Sequence, residues 1–292
     1  VSPRLRLAAT ALLFSTGGTA IKLCGFGPWQ VATGRAFVAV VAMIVLLPEA
    51  RRSWSWRAGL VGVPYASAAL FYIFANKLTT AASAIFIMAS DPLFVLALSP
   101  LLLREHVTRR DLEYMAGLAV GMVLLLSSPG RRFATAPDPA LGNVLAAGCA
   151  VCWALAMIGY RWLARHRDGG QGAVMAAAVS GNAIVCLAAL PLALPLQAGQ
   201  PRDWLVLVYL GVFQLGVAYV LLSRAITEVR AIEASLVLLL EPVLSPIWAW
   251  LVHGETPGIR AVAGGLVILT ATAWHTWREP PTVAVPAPVL EG

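Results

Sequence analysis

Two short stretches place an acid directly before a proline inside apolar sequence. They are MASDPLFVL, with Asp91 and Pro92, and LLLEPVLSP, with Glu241 and Pro242. An ionised carboxylate at a bilayer centre costs about 2.5–3.5 kcal/mol on insertion scales. A proline inside a helix removes a donor and frees the carbonyl four residues earlier, here that of Met88 or Leu238. Two chemistries follow. In one, a protonated carboxyl donates to the freed carbonyl, so that acid and kink satisfy each other. In the other, the acid is a proton or cation site beside a broken helix lining a cavity.

Other side chains within apolar runs extend the candidate set. Trp153, in the middle of its run, and Phe14 are aromatic candidates for a cavity wall. Tyr72 and Tyr219 either face that cavity or pack in the core. Asn76 and Gln214 are polar groups of similar standing. Arg35, in ATGRAFV, reads as a counter-charge for an acid or as a structural cation snorkelling to the outer interface. Lys77 and Arg224 read as cations favoured at helix C-termini, or as gate charges. The CAVC stretch (149–152) has CxxC spacing but no companion Cys pair or nearby His, and reads as small buried residues rather than a metal site.

The elements that must hold these groups are membrane helices. The chain has 292 residues, 59% hydrophobic and 12% charged, against about 25% charged in soluble chains. Its mean hydropathy is +0.79. Ten apolar runs of about 20 residues each suit a bilayer core: 5–24, 29–48, 58–76, 80–103, 110–128, 141–164, 172–196, 203–224, 232–252 and 259–277. They must be helical, since lipid offers no partner to a free peptide group, and the alternating segments of a barrel are absent.

The net charge of +7 reflects basic loops rather than a nucleic-acid surface. With the N-terminus inside, fourteen of the 21 Lys and Arg residues fall on that side and six on the other, with Arg35 within a span. The positive-inside rule then puts both termini in the cytoplasm. Eight of the ten tryptophans fall near run ends, where aromatic belts sit. The Pro-rich tail, 279–292, reads as disordered. Residues 1–24 have the look of a signal peptide, but the repeat described next argues that they are kept.

The chain is written twice. TALLFSTGGTAIK (10–22) parallels CAVCWALAMIGYR (149–161), pairing Phe14 with Trp153. FYIFANK (71–77) parallels AYVLLSR (218–224), pairing Tyr72 with Tyr219 and Lys77 with Arg224. SDPLFVLALSPLLLRE (90–105) parallels LEPVLSPIWAWLVHGE (240–255), pairing Asp91 with Glu241 and Glu105 with Glu255. Five spans per half means that the second half enters the membrane inverted, an architecture of transporters with a midplane site. The expected division is 1–128, a linker at 129–140, 141–278 and the tail. Gly117 and Gly121 in the fifth span, and Gly264 and Gly265 in the tenth, read as close helix packing, within the chain or between protomers of a homodimer.

These paired stretches resemble the EamA repeats of the drug/metabolite transporter superfamily, over nearly the whole chain. The proline ahead of the glutamate-ended helix is the most specific element. The resemblance implies a ten-helix, all-α membrane fold with alternating access around a central cavity. It leaves the substrate open, since relatives carry amino acids, metabolites, cations and drugs. First copies in the family often have a neutral residue where this chain has Asp91. The expected function is a secondary transporter of a small metabolite such as an amino acid, working as an exporter and coupled to protons, without a cofactor. An importer or facilitator, and a membrane-embedded lipid-modifying enzyme, are the alternatives. Against the enzyme, His106, His166, His253 and His275 all fall in loops or at run ends, and no HExxH, GxSxG or P-loop pattern occurs.

Overall fold

Local caps start the helices. Ser2 Oγ accepts from Leu5 N at 3.4 Å ahead of Pro3, and Thr80 Oγ1 accepts from Ser83 N at 3.2 Å. Thr108 and Asp111 form a reciprocal capping box, which satisfies donors that the first helical turn leaves free. The computed structural model describes residues 2–103, 106–127, 133–164, 171–195, 199–226, 228–229 and 231–278. Glu105, His166, linker residues 129–132 and the 279–292 tail, which entered the sequence reading, lie outside them.

Among the described residues the fold is helical, without a strand. In order come α1 (Pro3–Ser15), α2 (Gly17–Leu23), α3 (Pro28–Leu46), α4 (Pro48–Arg52), α5 (Trp56–Leu78), α6 (Ala81–Met88), α7 (Asp91–Leu102) and α8 (Arg109–Leu126). Then follow α9 (Pro139–Ala164), α10 (Gln171–Ala193), α11 (Pro201–Val208), a π-helical segment (Tyr209–Val217), α12 (Ala218–Ile226), α13 (Ala231–Leu238), α14 (Leu240–His253) and α15 (Ile259–Arg278). Seven stretches among the described residues are long and apolar enough to cross a bilayer. Three further predicted runs are helical but fall short. α1 and α2 separate at Thr16, α8 opens with four charges in five residues, and Thr, His and Arg residues dilute α15.

Where kinks are expected at Pro92 and Pro242, the helices are briefly interrupted, over Ala89–Ser90 and at Leu239. Ser90 closes α6 by donating from N and Oγ to Ile87 O at 3.1 and 2.5 Å, and α7 then begins with Asp91 and Pro92. A proline in the first turn gives up a donor with no intrahelical partner, and an acid there meets the positive end of the helix dipole. α14 begins at Leu240, so Glu241 and Pro242 are the second and third residues of its first turn.

α5 packs on α9 and α10, α10 on α3, α12 on α1, and the π segment on α3. α6 and α7 lie on α9, α13 and α14 lie on α1, and α6 meets α14. Apolar side chains such as Phe37, Leu101, Val123, Leu187 and Leu205 face outward. A contiguous apolar surface of this kind is suited to lipid.

α8 and α15 cross at glycines within the chain. A Cβ on Gly121 would stand 2.8 Å from Gly264 O and 2.6 Å from Ile268 Cγ1. The glycine step is therefore filled by the chain's own tenth-run helix. Gly121→Leu should lower the melting temperature of the purified protein by the equivalent of about 1–3 kcal/mol of overpacking. Gly59→Ala, with no heavy atom within 4 Å of its added methyl, should be neutral or stabilising in the same melt. Equal effects would refute the crossing.

Candidate functional site

Three helix interruptions converge on one polar region. The α6–α7 break presents Asp91, the α13–α14 break presents Glu241, and the α1–α2 break presents Gly17 and Gly18. Glu241 lies within Coulombic reach of Asp91, so the two acids share one region although 150 positions separate them in sequence.

Tyr72 on α5 is the connecting group. Its ring centroid is 5.4 Å from the Arg35 guanidinium carbon, and it lies within electrostatic reach of both Arg35 and Glu241. Gly17 presses against its hydroxyl, since a Cβ there would be 2.6 Å from Tyr72 Oη and 2.8 Å from Gln214 Nε2. Asn76, one turn on, donates from Nδ2 to Tyr72 O at 2.9 Å. Its Oδ1 rests beside Gly18. Arg35 does not snorkel. It is buried on α3, and Nη2 donates to Gln214 Oε1 at 3.0 Å. Gln214 comes from the π segment, where Gly211 also lies against Val38 and Ala39 of α3. A π-helical stretch inside a helix often marks a functional position. No carboxylate forms an ion pair with Arg35 among the described residues.

Beside this polar region lies an aromatic cluster. Phe14 meets Tyr219 edge-on at 5.8 Å, and Trp153 lies 5.9 Å from Tyr65. Tyr160 joins the same cluster, with its hydroxyl buried and unpartnered. Asn182 Nδ2 donates to Tyr65 Oη at 3.0 Å. Tyr65, Tyr160 and Asn182 were not singled out from sequence, yet Tyr65 precedes Tyr72 by seven residues and Tyr160 follows Trp153 by seven. That spacing puts each pair on one helix face. Cys149 is a packing residue whose Sγ donates to Ala68 O at 3.2 Å.

Lys77 and Arg224 stand apart. Lys77 Nζ donates to Cys24 O at 2.5 Å and so closes the end of α2. Arg224 is exposed near the end of α12.

The same end of the bundle as Lys77 carries a latch that sequence reading missed. Lys22 Nζ is 2.8 Å from Glu255 Oε1, with both side chains almost fully buried. Lys22 also donates to Thr79 O and Thr135 O, at 2.7 and 2.5 Å. Glu255 accepts from Ala81 N at the start of α6 and from Thr135 Oγ1, at 2.9 and 2.6 Å. Asp203 Oδ1 accepts from Gly25 N at 2.8 Å. At the opposite end, Arg6 and Glu228 pair at 2.6 Å with partly exposed side chains.

Residues 5–127 and again 140–277 match the EamA-like transporter family. An uncharacterized transporter of Clostridium kluyveri is 23% identical over 282 residues, covering 89% of this chain and 88% of its own. An uncharacterized transporter of Methanothermobacter thermautotrophicus is 25% identical over 201 residues, 68% of this chain and 58% of that protein. The chain thus spans less than two thirds of that relative's length. A crystal structure sharing 22% sequence identity superposes with a TM-score of 0.63, covering 94% of this chain and 98% of its own. The fold is shared with it.

Removing one partner of a buried ion pair costs about 3–5 kcal/mol, whereas replacing both with apolar groups is often neutral. Glu255→Gln should therefore lower the melting temperature sharply, and Lys22→Met combined with Glu255→Leu should recover most of the loss. A double variant as unstable as the single one would show that the other hydrogen bonds of the latch dominate instead.

Proposed function

The chain belongs to the EamA-like transporter family, and we propose that it is a secondary active exporter of small metabolites such as amino acids. It works by alternating access, with a proton carried at Glu241. The observation that carries this reading is the convergence of Asp91 and Glu241 at two half-helix starts. Acids within membrane spans mark proton and ion pathways, and discontinuous helices place such sites near the midplane of transporters.

The family matches the chain twice, which supports ten crossings in two inverted halves. The helix contacts support the same reading by occurring in exchanged pairs. α5 lies on α9 as α12 lies on α1, α10 on α5 as the π segment on α3, and α7 on α9 as α14 on α1. With both termini cytoplasmic, the Lys22–Glu255 latch closes the outer end. Opening it and closing the Arg6–Glu228 end is then the alternate half of the cycle. The substrate is a small molecule, the surrounding partner is the bilayer, and the proton is the coupling ion.

In proteoliposomes carrying an imposed proton gradient, Glu241→Gln keeps the shape and a hydrogen-bond donor but cannot titrate. Accumulation should fail while substrate exchange survives, and Asp91→Asn should show a weaker defect of the same kind. Gradient-driven accumulation with wild-type pH dependence in Glu241→Gln would remove this carboxylate from coupling. Direction is read from vesicles: uptake into inside-out but not right-side-out vesicles is expected, and the reverse makes the protein an importer. Single cysteines at Arg52 and Ala134, both exposed, should label from the cytoplasmic and outer sides respectively. Labelling of both from one side would contradict the inverted arrangement.

A further inference from the structure

Coupling at the two acids leaves a buried cation without a role. Arg35 is 6% exposed, and its Nε is buried with no acceptor. Its hydrogen bond among the described residues is the one from Nη2 to the neutral amide of Gln214. A guanidinium carries five N–H donors in a planar fork, so most of its capacity is unmet. Lys22 is a useful contrast. Its side chain is also buried, but a carboxylate and two carbonyls surround it. An uncompensated buried charge is among the costlier features a fold can carry, and such departures cluster at functional positions.

We infer that Arg35 is the anchor for a carboxylate group of the transported solute, which makes the substrate class carboxylate-bearing metabolites. This rests on the transporter reading above and specifies its substrate. The surroundings fit such a ligand. Gln214 and Tyr72 flank the guanidinium. Gly17 packs directly against Tyr72 and Gln214 at the α1–α2 break and holds both side chains beside the guanidinium. The Phe14, Tyr65, Trp153 and Tyr219 cluster adjoins it and offers an apolar wall. Tyr72 lies against Arg35 and within electrostatic reach of Glu241. A solute with a carboxylate and an apolar body would meet Arg35 and that wall together. Guanidinium–carboxylate pairs are bidentate and about twice as strong as neutral hydrogen bonds, so entry of the anion supplies the acceptors Arg35 lacks.

The test uses the purified full chain in detergent and four probes: L-phenylalanine, 3-phenylpropionate, L-phenylalaninamide and sodium chloride. Thermal stabilisation is measured for the wild type, Arg35→Gln and Arg35→Lys. The two carboxylates should raise the melting temperature of the wild type, and the amide and chloride should not. Arg35→Gln should abolish the carboxylate shift while leaving the ligand-free melting temperature equal or higher. Arg35→Lys, which keeps the charge but not the fork, should weaken apparent affinity about tenfold. The inference is overturned if neither carboxylate stabilises the wild type, or if the amide or chloride does so equally. It is also overturned if Arg35→Gln retains the shift and melts lower, as a purely structural arginine would. Proteoliposome transport of an organic cation lacking a carboxylate, equal in wild type and Arg35→Gln, would leave the transporter reading standing and remove the anchor alone.

Discussion

A helix that stops inside a bilayer leaves amide donors and carbonyl acceptors with no water to meet them. This chain interrupts its helices at Thr16, at Ala89–Ser90 and at Leu239, and widens one into a π-helical segment at Tyr209–Val217. Each interruption is answered locally or by a neighbour. Thr16 Oγ1 donates to Leu13 O and meets Tyr209 Oη at 2.7 Å. Ser90 closes α6, and the acids occupy the starts of α7 and α14. The need to satisfy broken backbone inside lipid therefore also decides where the polar side chains gather. The candidate site lies where the helices are discontinuous.

Buried charge is treated in two ways. Lys22 and Glu255 join four helix ends and the 133–138 segment with a pair whose remaining donors and acceptors are also matched. Its cost of desolvation is offset by geometry. At Arg35 the same cost is offset only by an amide and a tyrosine face, a weaker compensation. Two buried cations in one molecule thus define a structural and a receptive environment by what surrounds them.

Much of this was legible in the residues. The acid–proline pairs, apolar run lengths and duplicated segments pointed to discontinuous helices bearing acids, because each rule acts over neighbours in sequence. The outcome at Pro92 was stronger than a kink, since Ser90 adds a closing bond that proline statistics do not contain. The π segment had no sequence signal, because its winding depends on how Gly211 and Gln214 meet α3. The Lys22–Glu255 pair was invisible for another reason. Both residues sit at run ends and read as ordinary loop charges, and 233 positions of chain separate them. Tyr65 and Tyr160 could have been found from their seven-residue spacing to residues already chosen.

The two ends of the bundle differ in how they respond to dissolved ions. Counter-ions screen exposed charges over about 8 Å at physiological ionic strength, but they do not enter a site whose side chains are almost fully buried. The Arg6–Glu228 pair, with side-chain exposures of 25% and 46%, sits in reach of that screening, and the Lys22–Glu255 pair, at 1% and 2%, does not. Salt therefore loosens one clasp and leaves the other intact. The two ends of the bundle thus differ in how strongly dissolved salt acts on the pair that each carries.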